Sequence, residues 1–374
     1  VVIDMALKKK ENQNKAERYF DYTLIFVVIF LVCFGLVMIY STSSYGATLD
    51  YGDSFYWMKR QAGFALVGLV GMLLASRIDY HIYGKFVIPA YIIMNILQIL
   101  VLFIGREVNG QKRWIDIGPI GIQPSEMAKM VLIVFLAYFA SRFVKSLRTW
   151  KGILKIFIFS LPLVGSVAIT NLSTSIVLLG IAFVIIFVAS NRYLPFGVVI
   201  AGGLAMMGIF LALAAYRVGR ITAWLNVETD PNAYQTRQSL YAIGSGGVFG
   251  KGLGQSIQKL DYLPEAHNDM IFAIISEELG LFGAISILLL FVILLWRCMI
   301  IANNAPDLFG ALIVTGIMTQ IGLQVIINVA VATNSIPNTG ITLPFISYGG
   351  TSVVFLLFEI GMILSVSRGI KFQR

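Results

Sequence analysis

The run Tyr22-Thr-Leu-Ile-Phe-Val-Val-Ile-Phe-Leu-Val-Cys-Phe-Gly-Leu-Val-Met-Ile-Tyr-Ser41 decides the class of fold. About 20 consecutive apolar residues are enough to cross a bilayer as a helix. The run lacks the short apolar core and small-residue cleavage site of a secretion signal, so it reads as a retained first helix. Ahead of it, residues 1–20 are polar and basic, with Lys8, Lys9, Lys10, Lys15 and Arg18. Val1 to Leu7 read as an upstream or alternative start.

The whole chain shares this character. It is 58% apolar and 13% charged, with a mean hydropathy of +0.83. A soluble domain has roughly 45–50% apolar and about 25% charged residues. The composition therefore specifies an all-α polytopic membrane protein. Further spans follow near 61–76, 84–104, 124–141, 153–170, 174–190, 194–216, 269–296, 308–332 and 343–366, about ten in all. The break between the fifth and sixth is very short, at Asn171 to Thr174. Cys33 and Cys298 both lie in apolar runs, so the expectation is packed, reduced thiols without a disulfide framework.

Charge orients the spans. With the N-terminus inside, 17 Lys and Arg residues fall on the inner side and 10 on the outer. Half of the outer set lies in one long loop, where the rule is weaker. Both termini are thus expected in the cytoplasm. The net charge of +9 becomes a topology signal and argues against nucleic-acid binding. The expected organisation is a tail at 1–20, a ten-helix domain at 21–366 and a tail at 367–374. One large extracytoplasmic loop, 217–268, carries too much apolar surface for a tether, and short helices on the membrane surface are expected there. Nucleotide substrates are scarce outside the cell. Chemistry on that face needs a substrate already activated, such as a lipid-linked one.

Gly244 to Gly280 combines flexible backbone, acids and a histidine. Its glycines resemble a phosphate cradle, but no strand precedes them and the face is wrong for a cytosolic cofactor. They read as turns that let backbone approach a helix or ligand. His267, Asn268 and Asp269 stand immediately before the eighth span. Spacing alone favours Asn268 or Asp269 as a helix N-cap. A carboxylate held ionised at a helix start can also be a general base. Glu277 and Glu278 lie two turns or more inside the helix and need partners.

Other polar positions also have two readings. Trp114, after Arg113, is an interface anchor or a sugar-stacking edge. Glu126 and Lys129 share a helix face and can form a structural pair or touch substrate. Arg217 and Arg220 either snorkel or bind an anionic diphosphate headgroup. Asn328 to Ser352 is rich in Pro, Gly and hydroxyl groups. Irregular backbone at membrane depth survives only in protein or along a cavity, so this stretch reads as a cavity wall.

Together these segments resemble the SEDS family (shape, elongation, division and sporulation), of the FtsW, RodA and SpoVE type. The resemblance rests on Tyr40-Ser-Thr-Ser43, Arg113-Trp-Ile115, Gln123-Pro-Ser-Glu126 with Lys129, and Gln235 to Gly254. It continues through Tyr262-Leu-Pro-Glu265 with His267 and Asp269, Glu277-Glu-Leu-Gly280, and Pro337 to Ser352, covering about residues 20–370. It leans to the FtsW and SpoVE branch. Two departures stand out. The family often has His-Thr-Asp-Phe where this chain has His267-Asn-Asp-Met270. A family Glu-Pro-Asp motif is replaced by Thr170-Asn-Leu-Ser-Thr-Ser175, without an acid.

The resemblance implies a peptidoglycan glycosyltransferase of the bacterial cytoplasmic membrane. It would polymerise lipid II on the outer face with a class B penicillin-binding transpeptidase and other divisome or elongasome proteins as partners. It makes Asp269 the essential acid and marks Trp114, Glu126 and Lys129. Arg113, Arg217, Arg220, His267 and Ser347 complete the expected substrate-binding set. No cofactor is certain; a divalent cation such as Mg2+ or Mn2+ is one way to stabilise the leaving diphosphate. Two other functions compete, a lipid II flippase and a non-catalytic scaffold for the transpeptidase. Polar clusters concentrated in the outer half favour the enzyme.

Overall fold

The computed structural model describes residues 20–108, 111–118, 120–190, 196–198, 200–202, 219 and 222–370. Arg217, Arg220, most of the expected seventh span and both terminal tails except Phe20 and 367–370 lie outside the described residues. Among the described residues, nine helices are long and apolar enough to cross a membrane. They are α1 (Tyr22–Tyr51), α2 (Tyr56–Arg77), α4 (Val87–Ile104), α5 (Pro124–Arg142), α6 (Trp150–Thr170), α7 (Leu172–Ala189), α9 (Ile271–Asn303), α10 (Leu308–Ala332) and α11 (Gly350–Gly369). A short α3 (His81–Lys85) precedes α4, and α8 (Tyr234–Gly246) precedes α9.

Helix α1 runs ten residues beyond the expected end at Ser41. Asp21 caps its start, accepting from the Leu24 N–H at 2.9 Å, and Gly52 ends it in a left-handed conformation. Thirty residues at about 1.5 Å each exceed a hydrocarbon core of about 30 Å. The last turns therefore project beyond it. Asp21 also receives Arg297 at 2.7 Å, tying α1 to α9.

Apolar residues face both inward and outward. Leu24, Leu132, Ile274 and Leu364 are fully buried, whereas Phe26, Phe103 and Phe282 are at least 70% exposed. An aqueous surface disfavours so many exposed rings, and a lipid surface accepts them. Cys298 is buried, but Cys33 is exposed on the bundle surface. The expectation that both thiols are packed therefore fails for Cys33, because an apolar run does not say which face meets lipid. Helices α2 and α11 pack most intimately. A Cβ at Gly361 would lie 2.5 Å from the Met72 carbonyl, and one at Gly68 would lie 2.7 Å from Leu357. Small residues permit this approach where apolar lipid supplies little driving force.

Two of the segments outside the regular helices flank the spans α4 and α11. The turn-rich stretch after α4 forms a three-stranded antiparallel sheet, β1 (Arg106–Val108), β2 (Gln111–Ile117) and β3 (Ile120–Ile122), in that order. Trp114 opposes Arg106 and Ile115 opposes Ile122. Arg113 Nε donates to the Thr170 carbonyl at 2.9 Å, pinning the central strand to the end of α6. The second is residues 333–349. Helix α11 begins at Gly350, not near 343, and Asn334 and Phe345 adopt left-handed backbone conformations. The Ser347 hydroxyl accepts from the Leu343 N–H at 2.8 Å, and its N–H donates to the Leu343 carbonyl at 3.0 Å. Gln61 of α2 bonds both the Ser347 carbonyl and the Gly349 N–H. Every irregular backbone group needs such partners inside a membrane.

Candidate active site

The glycine-rich stretch meets α9 backbone to backbone. Gly280 interrupts α9 at φ 67°, ψ −167°. This breaks the helical ladder, and the loop restores it. Lys251 and Gly252 N–H groups donate to the Glu277 and Glu278 carbonyls at 3.0 and 2.9 Å. Leu281 and Phe282 N–H groups donate to the Gly247 and Val248 carbonyls at 2.9 and 3.1 Å. A Cβ at Gly246 would lie 2.0 Å from the Ser276 carbonyl, and one at Gly250 would lie 2.2 Å from that of Glu278. The glycines thus permit close approach to a helix.

The two acids on α9 are anchored by the same loop. Lys251 Nζ lies 2.7 Å from Glu277 Oε1, and Lys259 Nζ lies 2.9 Å from Glu278 Oε1. Glu277 also accepts from the Ser256 hydroxyl and the Ile257 N–H. Glu278 accepts from the Ser41 hydroxyl of α1 at 2.7 Å. Both carboxylates are fully buried. Their neutralised, hydrogen-bonded state makes them struts between loop, α1 and α9, since a buried charge persists only when paired.

Asp269 stands just before α9 and is 8% exposed. The N-cap of α9 is Met270, without a side-chain cap bond. The Asn268 side chain instead donates to Glu265. Neither residue expected to cap is the N-cap, because the Asn268 and Met270 N–H groups turn back to the Glu265 carbonyl ahead of the helix. The Asp269 backbone is fixed by Asn328 of α10, whose Nδ2 donates to the Asp269 and Ile341 carbonyls, both at 2.8 Å. Asp269 Oδ2 lies 3.7 Å from where a Cβ at Gly340 would stand. Residues 339–341 thus form a wall beside the carboxylate. Ser173 at the start of α7 donates to the Thr339 carbonyl at 2.6 Å, so α7 supports that wall.

His267 is enclosed by aromatic rings. Trp57 stacks on it with centroids 5.3 Å apart, and Tyr348 meets it edge-on at 5.7 Å. The Tyr348 N–H donates to the His267 carbonyl at 2.9 Å. Burial lowers the imidazole's affinity for a proton, and the nearby Glu265 charge only partly restores it. The ring is therefore largely neutral at pH 7 and suits stacking or hydrogen bonding better than charge.

Glu126 and Lys129 form a second polar centre, on α5. Their side chains pair at 3.0 Å, and the Ser352 hydroxyl of α11 donates to Glu126 Oε2 at 2.5 Å. Lys129 is 2% exposed, so the pair faces the bundle interior. Trp114 is half-buried on β2, with its ring edge 3.4 Å from where a Cβ at Gly121 would lie. The structure therefore gathers Asp269, His267 and Ser347 around residues 339–349, and joins Glu126 and Lys129 to Ser352 at the start of α11. Trp114 and Arg113 are on the sheet beside Thr170.

Trp57 had no assigned role from the sequence, and Asn328 was only the first residue of the stretch expected to be irregular, whereas residues 328–332 continue helix α10. An Asn in an apolar helix, four and eight residues after Gln324 and Gln320, was the available signal. Lys251 and Lys259 were legible only as loop charges. Among the described residues, no three His, Cys, Asp or Glu side chains converge as a metal site. A protein-only metal cage does not fit the described residues.

These features define a polytopic helical membrane protein with one polar end carrying a buried aspartate. The chain belongs to the FtsW, RodA and SpoVE family, whose model, described as a cell cycle protein, matches residues 22–371. It is similar to stage V sporulation protein E of Bacillus subtilis, 43% identical over 93% of this chain and 97% of that protein. It is also similar to a probable peptidoglycan glycosyltransferase FtsW of Trichlorobacter lovleyi, 39% identical over 94% of each. Among solved structures it resembles a chain of a peptidoglycan synthase complex that coordinates polymerization and crosslinking. That match has a TM-score of 0.77 and 29% identity over 93% of this chain and 98% of the other. The rod shape determining protein RodA of Thermus thermophilus matches with a TM-score of 0.70 and 28% identity over 95% and 98%.

Proposed function

We propose that this chain is a peptidoglycan glycosyltransferase that polymerises lipid II at the outer face of the cytoplasmic membrane. The observation that carries the reading is Asp269: a carboxylate on a fixed backbone at the polar end of a family fold, outside the run of the helix it precedes. The acceptor's terminal N-acetylglucosamine presents its 4-hydroxyl to Asp269, which takes the proton. The freed oxygen attacks the anomeric carbon of the donor's N-acetylmuramic acid, and polyprenyl diphosphate leaves with the bonding electrons. One essential carboxylate suits inversion without a covalent intermediate. General-base catalysis typically contributes about 10²–10⁴-fold.

Other residues have supporting roles in this proposal. His267, Trp57 and Tyr348 offer an aromatic face to a sugar. Trp114 and Arg113 border the site from the sheet, and Ser347 shapes the wall through its backbone bonds. Glu126 and Lys129 supply interior polarity. The charge of the leaving diphosphate is assigned to Arg217 and Arg220 from their place in the sequence, and Mg2+ or Mn2+ arriving with the substrate is an alternative counter-charge. A class B penicillin-binding transpeptidase crosslinks the product.

Purified Asp269→Asn protein, assayed with lipid II and its transpeptidase, should form no glycan strands while melting like the wild type. Normal polymerisation would refute the base assignment. The flippase reading is separated by presenting lipid II only on the outer leaflet. A polymerase extends it there, and a flippase leaves it unpolymerised.

A further inference from the structure

A further acid lies in the bundle interior. Glu359 is fully buried and is the tenth residue of the 20-residue α11. Its partner, Gln320, is 1% exposed and stands at the centre of the 25-residue α10. Both therefore sit near the middle of helices long enough to span a bilayer. An ionisable side chain at that depth calls for a specific reason and partner.

The hydrogen bonding supplies one. Gln320 Nε2 donates to Glu359 Oε2 at 2.8 Å. The remaining oxygens of the two groups, Glu359 Oε1 and Gln320 Oε1, are buried and receive no donor from the described residues. A carboxylate only accepts, so it leaves both atoms unsatisfied. A neutral carboxyl group would satisfy both with one proton: its carbonyl takes the amide N–H, and its O–H becomes a donor for the amide oxygen. Unsatisfied buried acceptors are costly, and this closure removes two.

Charge balance agrees. Helices α2, α5, α9 and α10 pack against α11. Of the buried acidic and basic side chains on those four helices, Glu277 and Glu278 of α9 are paired with Lys251 and Lys259 of the loop, which leaves Glu126 and Lys129 of α5. Lys129 already pairs with Glu126 at 3.0 Å. One ammonium and two ionised carboxylates would leave an uncompensated negative charge in the apolar interior. Such a group takes up a proton in preference to staying charged.

We propose that Glu359 is an interior proton-binding site, held as the neutral acid by reciprocal hydrogen bonds with Gln320, and that this leaves Lys129 committed to Glu126. Loss of the Glu359 proton to solvent base sets a second carboxylate in competition for Lys129. Glu359 is thus a positioning residue for the Glu126–Lys129 pair. Any effect on polymerisation rests on the function proposed above; the protonation state does not.

The test compares full-length wild-type and Glu359→Gln protein in nanodiscs by infrared difference spectroscopy near neutral pH. The expected difference is loss of a protonated-carboxyl C=O band that shifts in D2O, with ionised-carboxylate bands unchanged. Loss of carboxylate bands without an acid band overturns the proposal. Glutamine keeps both hydrogen bonds, so the variant should melt within about 2 °C of wild type. A larger loss, showing that Lys129 needed the Glu359 charge, also overturns it. So does a sodium-dependent rise in melting temperature abolished by Glu359→Gln, which marks an oxygen-ligated cation instead. In polymerisation assays, the wild-type rate should fall at alkaline pH as Glu359 loses its proton, and Glu359→Gln should not show that fall; an equal fall in both overturns the positioning role.

Discussion

Replacing Gly280 with alanine tests how the loop is locked to α9. Gly280 has φ 67° and ψ −167°, a region essentially reserved for glycine. Holding another residue there costs about 1–3 kcal/mol. The added methyl would also stand 2.3 Å from the Gly250 nitrogen and 2.5 Å from the Val248 carbonyl oxygen. Both are backbone atoms, so the loop must move away by roughly 1 Å to reach ordinary contact distance. That movement breaks the exchange of N–H and carbonyl groups between 247–252 and 277–282. Each such bond is worth about 1 kcal/mol net, and more when a buried group is orphaned. The sum is about 4 kcal/mol or more, with the Lys251 and Lys259 ion pairs loosened as well. Thermal unfolding of purified protein measures it, with Gly46→Ala as control because nothing lies within 4 Å of that Cβ position. If Gly280→Ala melts within a degree or two of wild type while Gly46→Ala does the same, the lock does not exist.

Three further outcomes are expected. Lys259→Met should destabilise by about 3–5 kcal/mol by stranding buried Glu278, and adding Glu278→Leu should recover much of that loss; additive losses in the double variant would refute the pairing. His81 lies 2.7 Å from Asp79 and 2.6 Å from Asp307. Burial pushes its proton affinity down, but the hydrogen bonds to Asp79 and Asp307 more than offset this, so it titrates above its ordinary value. The link is therefore complete below the unfolded value of about 6.5 and is lost as pH rises through the folded value. On this exposed site it is worth roughly 0.2–1 kcal/mol, and His81→Gln should flatten the pH dependence of melting from neutral to mildly alkaline. If a divalent ion arriving with the substrate supplies the counter-charge in place of Arg217 and Arg220, chelation by EDTA should lower polymerisation with melting unchanged; undiminished polymerisation would leave that charge to the arginines, and a drop in melting temperature would point to a resident structural metal.

Chain composition and the spacing of apolar runs were sufficient to specify a polytopic helical protein, because a bilayer admits few backbone solutions. The Tyr22–Ser41 run, the positions of most spans and the need of Glu277 and Glu278 for partners were legible on that ground. The polar stretches that resemble the SEDS family also marked Asp269, although local spacing alone preferred it as a helix cap. Only the tertiary structure assigned those acids to Lys251 and Lys259, since nothing local links residues 19–26 positions apart. It alone placed Met270 at the cap and brought Asn328 and Gly340 to Asp269. It also turned 106–122 into a sheet and seated Trp57 on His267. Each of these depends on which chain segment lies alongside which. A membrane's demand for satisfied polar groups makes such partners necessary without naming them, and only the packing of distant segments supplies the names.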